Sequence, residues 1–176
     1  MCAMANEAEV LRCGYRMGYF TKADISRWAD RQIEAIEEPR IELLDLSMIR
    51  QMHPLDVLNL LQSIGADGPA DTIEMELGFI GLLREERRVS PELAVRGMLA
   101  LAHEPGTTAD QCSEIYRLDD ACDCAIAGTY GSINEVEQEL DSFVSPYARK
   151  LAERYPLLIP SMKVDKAEQS LAAESR

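Results

Sequence analysis

Thr21-Lys-Ala-Asp-Ile-Ser-Arg-Trp-Ala-Asp-Arg-Gln-Ile-Glu-Ala-Ile36 runs into Glu37-Glu38-Pro39-Arg40 and then into Ile41-Glu-Leu-Leu-Asp-Leu-Ser-Met-Ile49. Thr21 can cap a helix, and Asp24, three residues on, can reach back to the Thr21 amide in an acidic version of the capping box. At about 100° per residue, Ile25, Trp28, Ala29, Ile33 and Ile36 fall on one side. Arg27, Asp30, Arg31, Glu34, Glu37 and Glu38 fall on the other, which predicts an amphipathic helix. Pro39 lacks an amide and biases its predecessor away from the helical region, so it predicts the stop. Ile41, Leu44, Met48 and Ile49 then predict the inward face of a second helix.

The same grammar extends in both directions. Upstream, a short helix is expected to start after Asn6, with Glu9 at the capping-box position and Val10, Leu11 and Cys13 inward, before Gly14 and Gly18 loosen it. Downstream, Pro54 opens a helix carrying Val57, Leu58, Leu61 and Ile64 to a stop at Gly65, apolar enough to be central. A turn over Ala66 to Pro69 leads to a helix with Ile73, Leu77, Ile80 and Leu83 inward, ended in solvent by Glu85, Glu86, Arg87 and Arg88. Ser90-Pro91 caps the next, with Leu93, Val95, Met98, Leu99 and Ala102 to bury. Thr108 and Gln111 form a capping box for a helix reaching about Ala127, with Cys112, Ile115, Tyr116, Cys122 and Ile126 as its stripe. Ser132 and Glu135 start another with Val136, Leu140 and Phe143, and Ser145-Pro146 opens a last one through Tyr147 and Leu151 to Tyr155.

These signals predict an all-α, compact bundle of eight or nine short antiparallel helices with no sheet; the alternative is a short α-solenoid of helix pairs. Twenty Leu and twenty Ala against seven Val support the helical reading. Residues 1–160 are expected to form a single helical domain and residues 161–176 a mobile C-terminal tail, because the segment from Lys163 onward lacks a core-sized apolar stripe. The 176 residues are 47% hydrophobic. With a mean hydropathy of -0.18, they suit one domain with a sizeable core. No signal-peptide pattern and no bilayer-length apolar run can be read, so the expected location is the cytoplasm.

Five cysteines, at positions 2, 13, 112, 122 and 124, are odd in number and lack a disulfide-framework spacing, so reduced thiols are expected. The net charge of -13 argues against nucleic acid and anionic membrane as partners, since phosphate would be repelled. Acidity is concentrated: residues 104–143 hold ten acidic side chains and one basic, a net of -9.

Within that region, Asp119-Asp120-Ala121-Cys122-Asp123 resembles the aspartate-rich motif of isoprenoid synthases, helical enzymes that hold Mg²⁺ and diphosphate with it. The resemblance covers five residues, and no second acidic motif is found. It supports, as an alternative, a small helical metal-dependent enzyme using Asp119 and Asp123. No nucleophile elbow, phosphate-cradling glycine loop or His-based metal pair is present, so no catalytic residue, metal ligand or cofactor is assigned. His53 and His103 stand at helix ends, where histidine ordinarily caps, and Trp28 is expected to pack in the core. The run Gly18-x-x-Thr21-x-x-x-Ile25-x-x-Trp28-Ala29-Asp30-x-x-Ile33 resembles a stretch of small, uncharacterised helical proteins of bacteria, which implies a bacterial helical domain and no particular activity.

The leading expectation is a non-enzymatic protein that binds a basic protein partner through residues 104–143, with Glu114, Asp119, Asp120, Asp123, Glu137 and Asp141 as the contact residues. In size, helicity and acidity it resembles immunity or inhibitor proteins of basic toxins and nucleases. A passive structural or oligomer-forming domain is the third reading.

Overall fold

The computed structural model describes residues 2–65 and 72–159. Eight α-helices occupy them: α1 (Cys2–Arg16), α2 (Lys22–Ala35), α3 (Ile41–Ser47), α4 (Pro54–Ile64), α5 (Thr72–Glu85), α6 (Pro91–Leu101), α7 (Ala109–Ile126) and α8 (Ile133–Arg154), with a 3₁₀ turn at Ile49–Gln51. No strand occurs among the described residues, and the protein is an all-α bundle. No described helix is long and apolar enough to cross a membrane. The expected Ala66–Pro69 turn and the tail from 161 lie outside the described residues.

Helix starts follow local chemistry. The hydroxyls of Thr21, Ser90, Thr108 and Ser132 each accept a bond from the backbone amide three residues later, and His53 caps α4 by accepting from the Leu55 amide. Thr21 with Asp24 and Thr108 with Gln111 close both halves of the capping box.

The centre of the bundle is α5, whereas the sequence pointed to α4. Buried apolar side chains surround α5: Met75, Phe79 and Leu82 enter one core with α1 to α4, and Ile73, Leu77 and Ile80 enter a second with α6 and α7. A helix with apolar residues on most of its faces must be covered on most of them. Its remaining face, Gly78 and Gly81, lies against α8. A Cβ added at Gly81 would stand 2.8 Å from the Ala148 Cβ and 2.9 Å from the Val144 carbonyl oxygen, so the two backbones meet with nothing between them. The pairing of Glu74 with Lys150 at one end and Arg84 with Asp141 at the other makes α5 and α8 antiparallel.

That contact also corrects the reading of Pro146. Two helices were expected, and α8 is one, with Pro146 inside it. Its apolar row of Val136, Leu140, Val144, Ala148 and Leu151 is buried along its length. Tertiary packing of this row outweighs the proline's missing amide bond. Similarly α1 begins at Cys2, not after Asn6, because its first turns pack on α4, where Gly65 approaches the Ala5 carbonyl and the Glu9 amide.

Helix α2 buries Ile25, Trp28 and Ala29, as the stripe predicted, and the Trp28 indole donates to Glu7 at 2.7 Å. It ends at Ala35 with Ile36 already extended, short of Pro39. Ile49 is buried as expected, but the inward face of α3 is a correction: Leu43 and Leu46 are buried, while Ile41 is 70% and Met48 73% exposed, with Leu44 also exposed. Both rows are apolar, so periodicity cannot choose between them. The Ser26 hydroxyl donates to the Ser47 carbonyl at 2.7 Å and ties α3 to α2 in the observed rotation.

Candidate acidic interface

Helix α7 lies between α6 and α8 and sinks Gln111, Ile115, Leu118 and Cys122 toward them. The expected stripe was rotated from this. Tyr116 and Ile126 are exposed, and Leu118, which it omitted, is buried at the centre. On α6, Leu93 is likewise exposed and Ala94 takes the inward position. In both helices apolar residues outnumber the inward positions, and the neighbouring helices decide which of them are covered.

The six candidate residues divide into two groups. In the first, carboxylates are held by the protein's own arginines. Arg84, its side chain 5% exposed, donates through Nε to Asp141 at 2.9 Å, through Nη2 to Glu137, and through Nη1 to the Val89 carbonyl at 2.9 Å. Burial opposes the charge of this guanidinium, but the hydrogen bonds of Asp141 and Glu137 outweigh it and hold its pKa above the ordinary value. Arg117 grips Glu114 on its own helix at 2.9 and 2.6 Å and Glu139 on α8 at 2.6 Å. Hydrogen bonding from Arg117 draws the Glu114 carboxyl below its usual range. Sequence reasoning missed Arg84, although the one cation of a largely apolar helix, directly after Leu82 and Leu83, was a signal that it had acidic partners elsewhere.

The second group is Asp119, Asp120 and Asp123. Asp120 and Asp123 are exposed and Asp119 is half-buried. None of them forms an ion pair with a described residue. At about 100° per residue, Asp119 and Asp123 share a face of α7 with Tyr116 and Ile126, and that face borders α6. There Glu92 and Arg96, paired at 3.3 Å, lie near enough to Cys122 to act on its thiol together with Asp119 and Asp123. Burial is the largest influence on that thiol and pushes its pKa up. His103, at the end of α6, shares a hydrogen bond of 3.1 Å with the Tyr116 hydroxyl.

No three His, Cys, Asp or Glu side chains among the described residues converge so that they could hold a metal ion. Asp119 and Asp123 therefore have no described third ligand, whatever the spacing of the five-residue motif suggests. Cys13 and Cys122 are buried and Cys112 and Cys124 half-buried, all four as free thiols. In comparisons with protein-family models, with curated proteins and with solved structures, nothing matches this chain.

Proposed function

We propose that this protein is a non-enzymatic binding protein that meets a basic protein partner with the acidic edge of α7, in the manner of an immunity or inhibitor protein. The observation that carries the reading is the division of the carboxylates. Arg84 offsets part of the charge of Glu137 and Asp141, and Arg117 part of that of Glu114 and Glu139, whereas Asp119, Asp120 and Asp123 on α7 form no ion pair with any described residue. Exposed charge steers an oppositely charged partner and quickens its capture, and a carboxylate beside a cation contributes less to the distant field than one without. The exposed Tyr116 and Ile126 on the same face supply apolar contact beside it.

The test is affinity capture from the native host followed by kinetics on the captured protein. The partner should be basic, and its association rate should fall with salt, because the screening length is about 8–10 Å near physiological ionic strength. Asp119→Asn with Asp120→Asn and Asp123→Asn should slow association by about tenfold. Glu137→Gln with Asp141→Asn should slow it less, because these carboxylates sit beside Arg84 and away from the α7 edge. A partner whose association is indifferent to salt and to the triple substitution would overturn the proposal.

A further inference from the structure

We propose that the groove between the start of α2 and the end of α3 is a docking site for an acidic peptide segment with an apolar anchor, independent of the α7 edge. The groove has a volume of about 590 Å³. Ser26, Ser47, Met48 and Ile49 form much of its wall, and Lys22, Arg27 and Arg50 stand around it. No carboxylate is among its described lining residues, although the chain carries 31 acidic and 18 basic side chains. Such a local reversal of sign on a strongly acidic protein is what a site for an anionic partner requires.

The cations are not equally committed. Arg27 pairs with Asp24, but Lys22 donates to the Met52 carbonyl, which leaves its charge uncancelled, and exposed Arg50 has no ion pair among the described residues. The amino-terminal end of α2, a helix of 14 residues, adds positive potential to the same wall, partly offset by Asp24.

The apolar component is the α3 row that the core did not use. Ile41, Leu44 and Met48 recur at i, i+3 and i+7, all exposed, and Met48 itself lines the groove. This is the pattern that accepts the apolar face of an amphipathic segment, with the cations placed for its carboxylates. A bilayer or a nucleic acid fits less well. Either presents an extended anionic surface to the whole molecule, whose net charge is -13, whereas a short peptide meets only the charges within about 8 Å of the groove.

The probe is a fluorescein-labelled helical peptide of about twelve residues, long enough for roughly three turns, with Leu at i, i+3, i+4 and i+7 and Glu elsewhere. It is titrated against the full chain by fluorescence anisotropy, and amide shifts are mapped by NMR. The expected result is saturable binding with shifts centred on residues 21–27 and 47–50. Met48→Glu and, separately, Arg50→Glu should each weaken it about tenfold, by loss of apolar contact and by charge reversal. Both side chains are exposed, so circular dichroism should find the variants folded like wild type. Asp119→Asn with Asp123→Asn should leave the affinity unchanged, which separates this site from the α7 edge. Equal binding of a Lys-for-Glu peptide, indifference to both groove variants, or shifts elsewhere would each overturn the proposal. So would binding to phosphatidylglycerol vesicles without peptide binding, or self-association that Met48→Glu abolishes.

Discussion

The same substitution at two helical glycines should move stability in opposite directions. At Gly97, inside α6, an added Cβ meets no atom within 4 Å, so alanine acts only through the backbone. Glycine costs a helix interior about 1 kcal/mol relative to alanine, so Gly97→Ala should stabilise by about 0.5–1 kcal/mol. At Gly81 the propensity gain is the same, but the new methyl would lie 2.8 Å from the Ala148 Cβ and 2.9 Å from the Val144 carbonyl oxygen. Neither obstacle is the free end of a flexible side chain. Carbon atoms rest about 3.5–4 Å apart, so α8 would have to retreat by roughly 1 Å, loosening the contacts that Val144, Ala148 and Leu151 make in both cores. Overpacking costs about 1–3 kcal/mol, and a backbone obstacle belongs at the upper end. After the propensity gain, Gly81→Ala should lose about 2 kcal/mol net. For a chain of this size, Tm should rise by about 1–4 °C in the first variant and fall by about 4–8 °C in the second. Thermal and urea melts followed by circular dichroism read both. A Gly81→Ala protein as stable as wild type would refute the close approach of α5 to α8 on which the fold rests.

Two further outcomes follow from the ion pairs. Arg84→Ala should cost about 2–3 kcal/mol in a urea melt, because it strips donors from Asp141, Glu137 and the Val89 carbonyl together. Arg84→Lys should recover less than half of that, since one ammonium cannot span the acceptors a guanidinium reaches. At Asp24, burial pushes the carboxyl pKa up, but bonds from Thr21 and Arg27 outweigh it and hold the pKa below its usual range. A depressed folded pKa means stability present above the unfolded value of about 3.9 and lost as pH falls through the folded one. Asp24→Asn should therefore cost about 0.5 kcal/mol at neutral pH, modest because the site is partly exposed. The difference from wild type should vanish in melts at about pH 2.

What was legible in the sequence was what depends on neighbours a few residues away. Thr21, Ser90, Thr108 and Ser132 cap where their spacing said, because a cap is closed within four residues of chain. Helix α2 was readable because its polar and apolar residues segregate fully, leaving one rotation. Helices α3 and α7 carry apolar residues on two rows, and the choice between Leu43 and Leu44, or Leu118 and Tyr116, is made by helices distant in sequence. Pro146 was misread for a related reason: a local rule says stop, and a buried seam along α5 says continue. The carboxylates of the candidate interface were visible as residues, but their pairing was not. Arg84 is 57 residues from Asp141 and 53 from Glu137, and periodicity carries no information across that separation.

That pairing changes what the acidity of residues 104–143 means. A charge that only solvated the surface would be interchangeable from one carboxylate to the next, and these are not. Glu137 and Asp141 join α8 to the buried end of α5, so they belong to the energetics of the fold. Asp119, Asp120 and Asp123 join nothing among the described residues, so removing their charge should relieve repulsion and leave the fold intact or slightly firmer. Stability and partner capture should therefore respond to different members of one acidic stretch. Glu137→Gln with Asp141→Asn should lower Tm and slow association only a little, and the α7 triple substitution should slow association strongly without lowering Tm. If both sets slowed association equally, the acidic excess would be acting as a single diffuse field, and assigning recognition to the α7 edge would lose its physical basis.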